Sequence, residues 1–255
     1  MIRLFVTPAL APDALIAPEP EQARYLTQVM RLKAGDPLLL FNGRDGEWRA
    51  EMAEVLKRGC VLRAREQVRP QSGVPEVELV MATIRRARLE SVIEKATELG
   101  VRRIRLVTTR RTGPERPRME RLRAIAVEAA EQTERLDVPE IDAPAPLSAL
   151  LDGWTAPHSP MHLMVCDERG GPPVLEALGA HTPAGAPWAI VIGPEGGFDP
   201  LERDALLALH GAVPVSLGPR VLRADTAAMV ALGLWQGALG DWAEARVPHW
   251  SGAPS

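Results

Sequence analysis

The chain has 255 residues, 46% of them hydrophobic and 25% charged, with a formal net charge of −3. That is the balance of a soluble globular protein of one large or two modest domains, and it argues against a wholly basic nucleic-acid binder. No run reaches the ~18 apolar residues of a membrane helix, and the opening Met1-Ile-Arg-Leu-Phe-Val6 is too short for a signal peptide. Two distant cysteines, Cys60 and Cys166, argue against a disulfide framework or a thiolate zinc site, so the cytoplasm is the expected location.

In chain order, residues 1 to about 70 read as short alternating strands: 2–6, 37–41, 47–51 and 59–63. Turn chemistry separates them at Ala34-Gly-Asp-Pro37 and Asn42-Gly-Arg-Asp-Gly46, and one helix is expected over Glu19 to Met30. This predicts a small β-barrel-like domain. The polar, proline-bearing stretch Gln67 to Pro75 reads as linker. Domain limits are therefore expected at 1–70 and 77–245, with a linker at 71–76 and a tail at 246–255.

Strand and helix then alternate. Val77 to Ile84 is an apolar run of strand length, and Arg88 to Leu99 carries Leu89, Val92, Ile93, Ala96 and Leu99 on one helical face with Gly100 at the C′ position. Val101 to Thr108 predicts a strand, Glu120 to Glu134 an alanine-rich helix, and 161–166, 189–192 and 213–217 three further strands. Asp199-Pro-Leu-Glu202 has the N-cap acid, N1 proline and N3 glutamate of a helix start. Such alternation implies an α/β fold with a mainly parallel sheet. Residues 139–160 and 170–187 read as irregular insertions.

Charge is unevenly spread. Nine arginines (102, 103, 105, 110, 111, 116, 118, 121 and 123) face only Glu115 and Glu120 in one segment. Arginine grips phosphate with a planar two-donor fork, which suits an anionic partner. The chain has only three lysines, Lys33, Lys57 and Lys95, so part of the cluster also reads as ordinary solvated surface.

Two loops follow apolar runs and lead into helices: Ile192-Gly-Pro-Glu-Gly-Gly-Phe198 and Leu217-Gly-Pro-Arg-Val-Leu-Arg-Ala-Asp-Thr-Ala227. They place glycine-freed backbone at the ends of what read as neighbouring strands, where open α/β sheets bind small molecules. Neither is a phosphate-cradling P-loop or a GxGxxG fingerprint, and the first alone reads equally as a structural turn. With apolar flanks at Ile192, Leu217 and Leu222, the loops suit a flat heteroaromatic ring such as adenine. His158 and His162 are four apart without an obvious third ligand, so no metal is expected. Asp225 is open to two readings, N-cap of the last helix or catalytic acid. Glu128, Glu131, Gln132 and Arg135 form a polar helix cluster that could face a partner.

These residues resemble a known family. The two loops, with Glu94-Lys-Ala-Thr-Glu-Leu-Gly-Val101, Glu131-Gln-Thr-Glu-Arg135, Tyr25-Leu-Thr-Gln-Val-Met-Arg-Leu32 and Leu40-Phe-Asn-Gly43, are similar to the 16S rRNA uracil-N3 methyltransferases of the knotted SPOUT superfamily. The resemblance covers nearly the whole chain. It implies a PUA-like RNA-binding first domain, a deep trefoil knot in the second and a homodimer. It also implies S-adenosylmethionine (SAM) as cofactor and uridine 1498 of 16S rRNA in the assembled small (30S) subunit as substrate. Two departures, at Thr109-Arg-Arg111 and Arg86-Ala87, make the arginine surface more basic.

On this reading the cofactor residues are Ile192, Gly193, Pro194, Glu195, Gly196, Gly197, Leu217, Gly218, Leu222 and Arg223. RNA contacts are expected from Arg31, Arg85, Arg88, Arg110, Arg111 and Arg135. Uracil N3 is a poor nucleophile while protonated. Arg223 is the expected stabiliser or positioner of the base, and Glu195 the expected proton acceptor or a cofactor contact. A non-catalytic RNA-binding assembly factor and a knotted methyltransferase acting on another RNA nucleotide are the alternatives.

Overall fold

The computed structural model describes residues 1–154, 162–180 and 186–243. In chain order the elements are β1 (Arg3–Phe5), β2 (Leu15–Ile16), α1 (Pro20–Arg24), β3 (Pro37–Phe41), β4 (Glu47–Leu56), β5 (Gly59–Arg69), β6 (Val77–Ala82), α2 (Arg86–Glu98) and β7 (Arg103–Thr108). There follow α3 (Met119–Gln132), β8 (Glu140–Pro146), α4 (Leu147–Trp154), β9 (His162–Cys166), α5 (Val174–Gly179), β10 (Trp188–Ile192), α6 (Pro200–Leu207), β11 (Ala212–Val215) and α7 (Ala224–Leu239). Contacts divide the chain into two units: Met1–Val74 with Glu120–Glu140, and Pro75–Met119 with the chain from Ile141 onward.

The first unit is a five-stranded sheet in the order β1-β3-β4-β5-β2, with β1 parallel to β3 and the other pairs antiparallel. Alternation along the strands buries Leu4, Leu38, Leu40, Trp48, Met52 and Leu62 on one face with Ile16 and Leu26. Strand β5 continues to Arg69, so the linker expected from Gln67 begins later. The helix expected over 19–30 is α1 continued by a π-helical turn, Tyr25–Val29, with Met30 N donating to Tyr25 O at 2.9 Å.

Helix α3 belongs to this unit, held by its C-terminal carbonyls. Arg3 Nη1 donates to Ala130 O at 2.8 Å and to Glu131 O at 3.0 Å, and Nη2 donates to Arg135 O at 2.8 Å. Its Nε is 2.6 Å from Glu47 Oε1, both side chains being almost fully buried, and the guanidinium lies over the Phe41 ring at 4.5 Å. Helix ends leave carbonyls without intrahelical donors, and one fork supplies several. Glu131 does not face outward as part of a polar cluster: its Oε1 accepts from Phe5 N at 2.9 Å.

Burial pushes the Glu131 carboxyl above its ordinary range, against the Phe5 hydrogen bond and the Arg3 charge. A raised native value means the native state prefers the protonated form. This contribution is complete below the unfolded value and is lost as pH rises through the folded one. Glu131→Gln keeps the acceptor and removes the charge. It is expected to raise the denaturation midpoint at pH 7, with the gain shrinking to nothing as pH falls below the ordinary glutamate range. An equal gain at both pH values would contradict this cause.

The second unit is a six-stranded sheet in the order β11-β9-β10-β6-β7-β8. The pairs β11/β9, β9/β10, β10/β6 and β6/β7 are parallel. The central strands β6 and β10 are buried along their whole length, as in a sheet covered on both faces. Helix α2 buries Leu89, Val92, Ile93 and Ala96. Gly100 follows at φ +82°, where a Cβ would lie 2.7 Å from Gln236 Nε2. That buried amide on α7 donates to Leu99 O at 2.6 Å, so the glycine serves both the turn and the α2–α7 packing.

Three expectations change. The first insertion contains β8 and α4, and the second contains α5; residues 155–161 and 181–185, and the tail 246–255, lie outside the described residues. Strand β8 carries Pro144 and Pro146 but lies at the sheet edge, where proline is tolerated. The arginine segment is partly consumed internally. Arg102 Nη2 and Arg105 Nε donate to the buried Glu78 at 2.8 and 2.6 Å, and Arg103 forks onto Asp142 at 3.0 and 2.9 Å. Arg116, Arg118 and Arg123 are exposed.

Candidate active site

Parallel strands present the carboxyl ends of β6, β9, β10 and β11 along one edge of the sheet. The two glycine loops leave β10 and β11, but these strands are not neighbours: β9 lies between them. The turn after β9, Asp167-Glu168-Arg169-Gly170, therefore comes between the glycine loops. All three border a cavity of about 460 Å3, within the ~300–1,000 Å3 of small-molecule sites. All ten residues expected at a cofactor, from Ile192 to Gly197 and at Leu217, Gly218, Leu222 and Arg223, line it.

Local chemistry fixes these loops. Gly197 N donates to Pro194 O at 2.9 Å to close a turn, with Gly197 at φ +68°, where a Cβ would lie 2.4 Å from Glu168 Oε1. A Cβ on Gly193 would meet the Phe198 ring at 3.1 Å. Beyond the loop, Asp199 accepts from Leu201 N at 3.1 Å, and Glu202 Oε2 accepts from Asp199 N at 3.1 Å, the expected capping box. From the other side, Arg111 Nη1 donates to Gly196 O at 2.8 Å, and Arg110 Nη1 lies 3.1 Å from Asp199 Oδ1. In the β11 loop, Gly218 N donates to Ser216 Oγ at 3.2 Å.

The electrostatics are mixed. Asp167 is buried and paired with Arg203, whereas Glu168 and Glu195 are exposed at the cavity wall. Arg88, Arg220 and Arg223 supply the cations. Burial pushes the Cys166 thiol up to about 12, so this cavity cysteine is not a thiolate nucleophile at neutral pH.

A second chamber of about 500 Å3 adjoins the first and shares Arg88, Glu195, Gly196 and Arg223 with it. Its other walls are Thr83, Ile84 and Arg85 at the β6–α2 junction, and Arg111, Gly113, Pro114 and Glu115. Four of the arginines expected to touch RNA or cofactor thus converge: Arg85, Arg88, Arg111 and Arg223. Arg31 and Arg135 belong to the first unit, Arg31 exposed at φ +56° and Arg135 forked onto Asp137 at 3.0 and 2.7 Å.

Asp225 is not the N-cap of α7, which is Arg223 without a side-chain cap bond. It lies in the first turn, with Oδ2 4.0 Å from Arg88 Nε. His162 packs at 4.6 Å from the Trp188 ring, and His158 lies outside the described residues. Sequence reasoning missed Asp167, Glu168, Thr83, Ile84 and Glu115 as site residues. A signal existed for the first two, because they follow an apolar run as the glycine loops do.

Comparison with known proteins defines the class. Residues 71–236 match the family model for the RNA methyltransferase domain, and residues 18–64 match the RNA methyltransferase PUA domain. The chain belongs to the RNA methyltransferase family, as the motifs implied.

Its relatives include ribosomal RNA small subunit methyltransferase E of Synechocystis sp., 34% identical over 90% of this chain and 75% of the relative. The enzyme of the same name from Rickettsia conorii is 30% identical over 90% of this chain and 93% of its own length. Among solved structures, a Legionella pneumophila protein described as a methyltransferase, in complex with the cofactor SAM, superposes with a TM-score of 0.82 at 29% identity. The match covers 93% of this chain and 97% of that one.

Proposed function

We propose that the protein is a SAM-dependent methyltransferase acting on N3 of uridine 1498 of 16S rRNA, in the assembled 30S subunit and in the cytoplasm. One observation carries the reading: in a chain of this family, the ten loop residues converge on one cavity at the strand ends. The knot belongs to the same proposal, as the match of residues 71–236 to the RNA methyltransferase domain supports. A PUA-like barrel for the first unit is supported by the match over residues 18–64. A homodimer belongs to the same proposal, as the resemblance of the two loops to the family's motifs implies.

The residues present fit the cofactor. Ile192, Leu217 and Leu222 offer apolar surface to adenine, and the glycine-freed backbone reads its edges. Glu168 and Glu195 suit a cationic ligand, and Arg220 suits its carboxylate. When bound, SAM supplies an electrophilic methyl carbon on a sulfonium. The chain's own work is to orient the base, exclude water and manage one proton. Glu195, at the wall shared by both chambers, takes the N3 proton. Arg223, at the same wall, holds the negative charge that deprotonation leaves on the uracil ring and its carbonyl oxygens.

Calorimetric titration with SAM tests the reading: saturable, stoichiometric binding is expected, and no binding would sink it. The same titration tests the loop. Gly197→Ala forces a side chain into the left-handed region, at a cost of roughly 1–2 kcal/mol, and presses on Glu168. SAM affinity is expected to fall about tenfold or more, and an unchanged Kd would mean that the turn does not shape the pocket.

A further inference from the structure

We propose that the arginine-lined second chamber holds a single nucleotide drawn out of its RNA strand, with Thr83 taking the polar edge of the base and Arg85 the phosphate. The proposal rests on the methyltransferase reading above and names the pocket for its acceptor. The decisive group is Thr83. It is 3% exposed, and its Oγ1 is buried without a hydrogen-bond partner among the described residues. Its backbone is accounted for, since Thr83 N donates to Val107 O at 2.9 Å. A buried hydroxyl that could both donate and accept is costly to leave unmet. Thr83 is one of the residues lining the chamber, so a ligand seated there would lie beside this hydroxyl. Beside it Ile84, 5% exposed, offers apolar surface to a ring.

The charge points to an anion. Arg111 is anchored on Gly196 O, and Arg88 faces Asp225. Glu115 accepts from Arg86 N at 2.9 Å at the start of α2, so a carboxylate already occupies part of this electropositive corner. Arg85 is exposed, caps nothing with its side chain and has no ion pair among the described residues. With Arg223 assigned to the base, Arg85 is the cation left for a phosphate. The wall shared with the cofactor cavity is formed by Glu195, Gly196 and Arg223, so an acceptor in this chamber would border the donor. An extruded nucleotide satisfies all three features, because its Watson–Crick edge, its ring face and its phosphate become available together.

The test uses the full-length protein with methyl-labelled isoleucine and threonine, titrated with uridine 5′-monophosphate with and without SAM. Shifts are expected at the Ile84 and Thr83 methyl groups. Thr83→Val, nearly isosteric, is expected to weaken the nucleotide about 5- to 10-fold. Arg85→Ala, on the surface, is expected to weaken it about tenfold while leaving the weaker binding of uridine unchanged. Unmoved Ile84 and Thr83 methyls, or wild-type affinity in both variants, would overturn the assignment. So would inorganic phosphate producing the same shifts as the nucleotide, which would mark an anion site only. Failure of the proposed reaction reads differently: a protein that binds the nucleotide here yet does not methylate small subunits contradicts the function and leaves the chamber standing.

Discussion

Arg223→Ala is expected to slow methyl transfer to small subunits lacking the mark by ~10²–10³-fold, the usual effect of removing one stabiliser of developing negative charge. Arg223 lines both chambers, is exposed, and has no ion pair among the described residues. It stands at the N-cap position of α7 without a side-chain cap bond, so truncation should leave the fold intact. The loss should fall on kcat, with SAM affinity changed only a few-fold. Arg223→Lys keeps the charge but loses the planar fork and should lie between the two. Wild-type rates in Arg223→Ala would remove the residue from the mechanism.

The largest effect on stability is expected at the opposite end of the sequence. Arg3→Ala removes the fork that holds three carbonyls of the α3 segment and leaves Glu47 buried, with Arg69 at 3.5 Å as its remaining cation. Breaking a buried pair by deleting one partner costs about 3–5 kcal/mol, a large share of the ~5–15 kcal/mol that holds a domain together. Denaturant unfolding and hydrogen exchange in α3 should both report the loss. Replacing both partners, Arg3→Met with Glu47→Gln, should recover part of it because Glu47 is then not left as a buried carboxylate, and Arg69 keeps its bond to Glu134 O at 3.1 Å. A loss below ~1 kcal/mol in Arg3→Ala would show that the clamp is dispensable.

What the sequence revealed and what it hid follow from locality. Strands β3 and β10, the apolar face of α2, the capping box at Asp199 and the turn at Gly100 were legible because each is written in adjacent residues. The cofactor loops were legible for the same reason, since glycine and proline after an apolar run report a backbone need on the spot. The Arg3 clamp was not, because its partners at Ala130 and Arg135 are 127 and 132 positions away. Arg3 reads locally as one polar residue of an alternating strand. Likewise the assignment of α3 to the first unit, and the insertion of β9 between β10 and β11, are decided by pairing between distant segments. Strand β8 was hidden by its prolines, which only an edge position excuses. In the arginine segment, counting charges could not separate the arginines bound to Glu78 and Asp142 from Arg111, which lines the chamber.

The central claim is most directly tested by mapping the methyl group. Small subunits lacking the modification are incubated with the protein and SAM, and the 16S rRNA is digested and analysed by mass spectrometry. One added methyl on N3 of uridine 1498 is the result expected here. A methyl group on another nucleotide or on a ribose 2′-hydroxyl, or none at all, would contradict it.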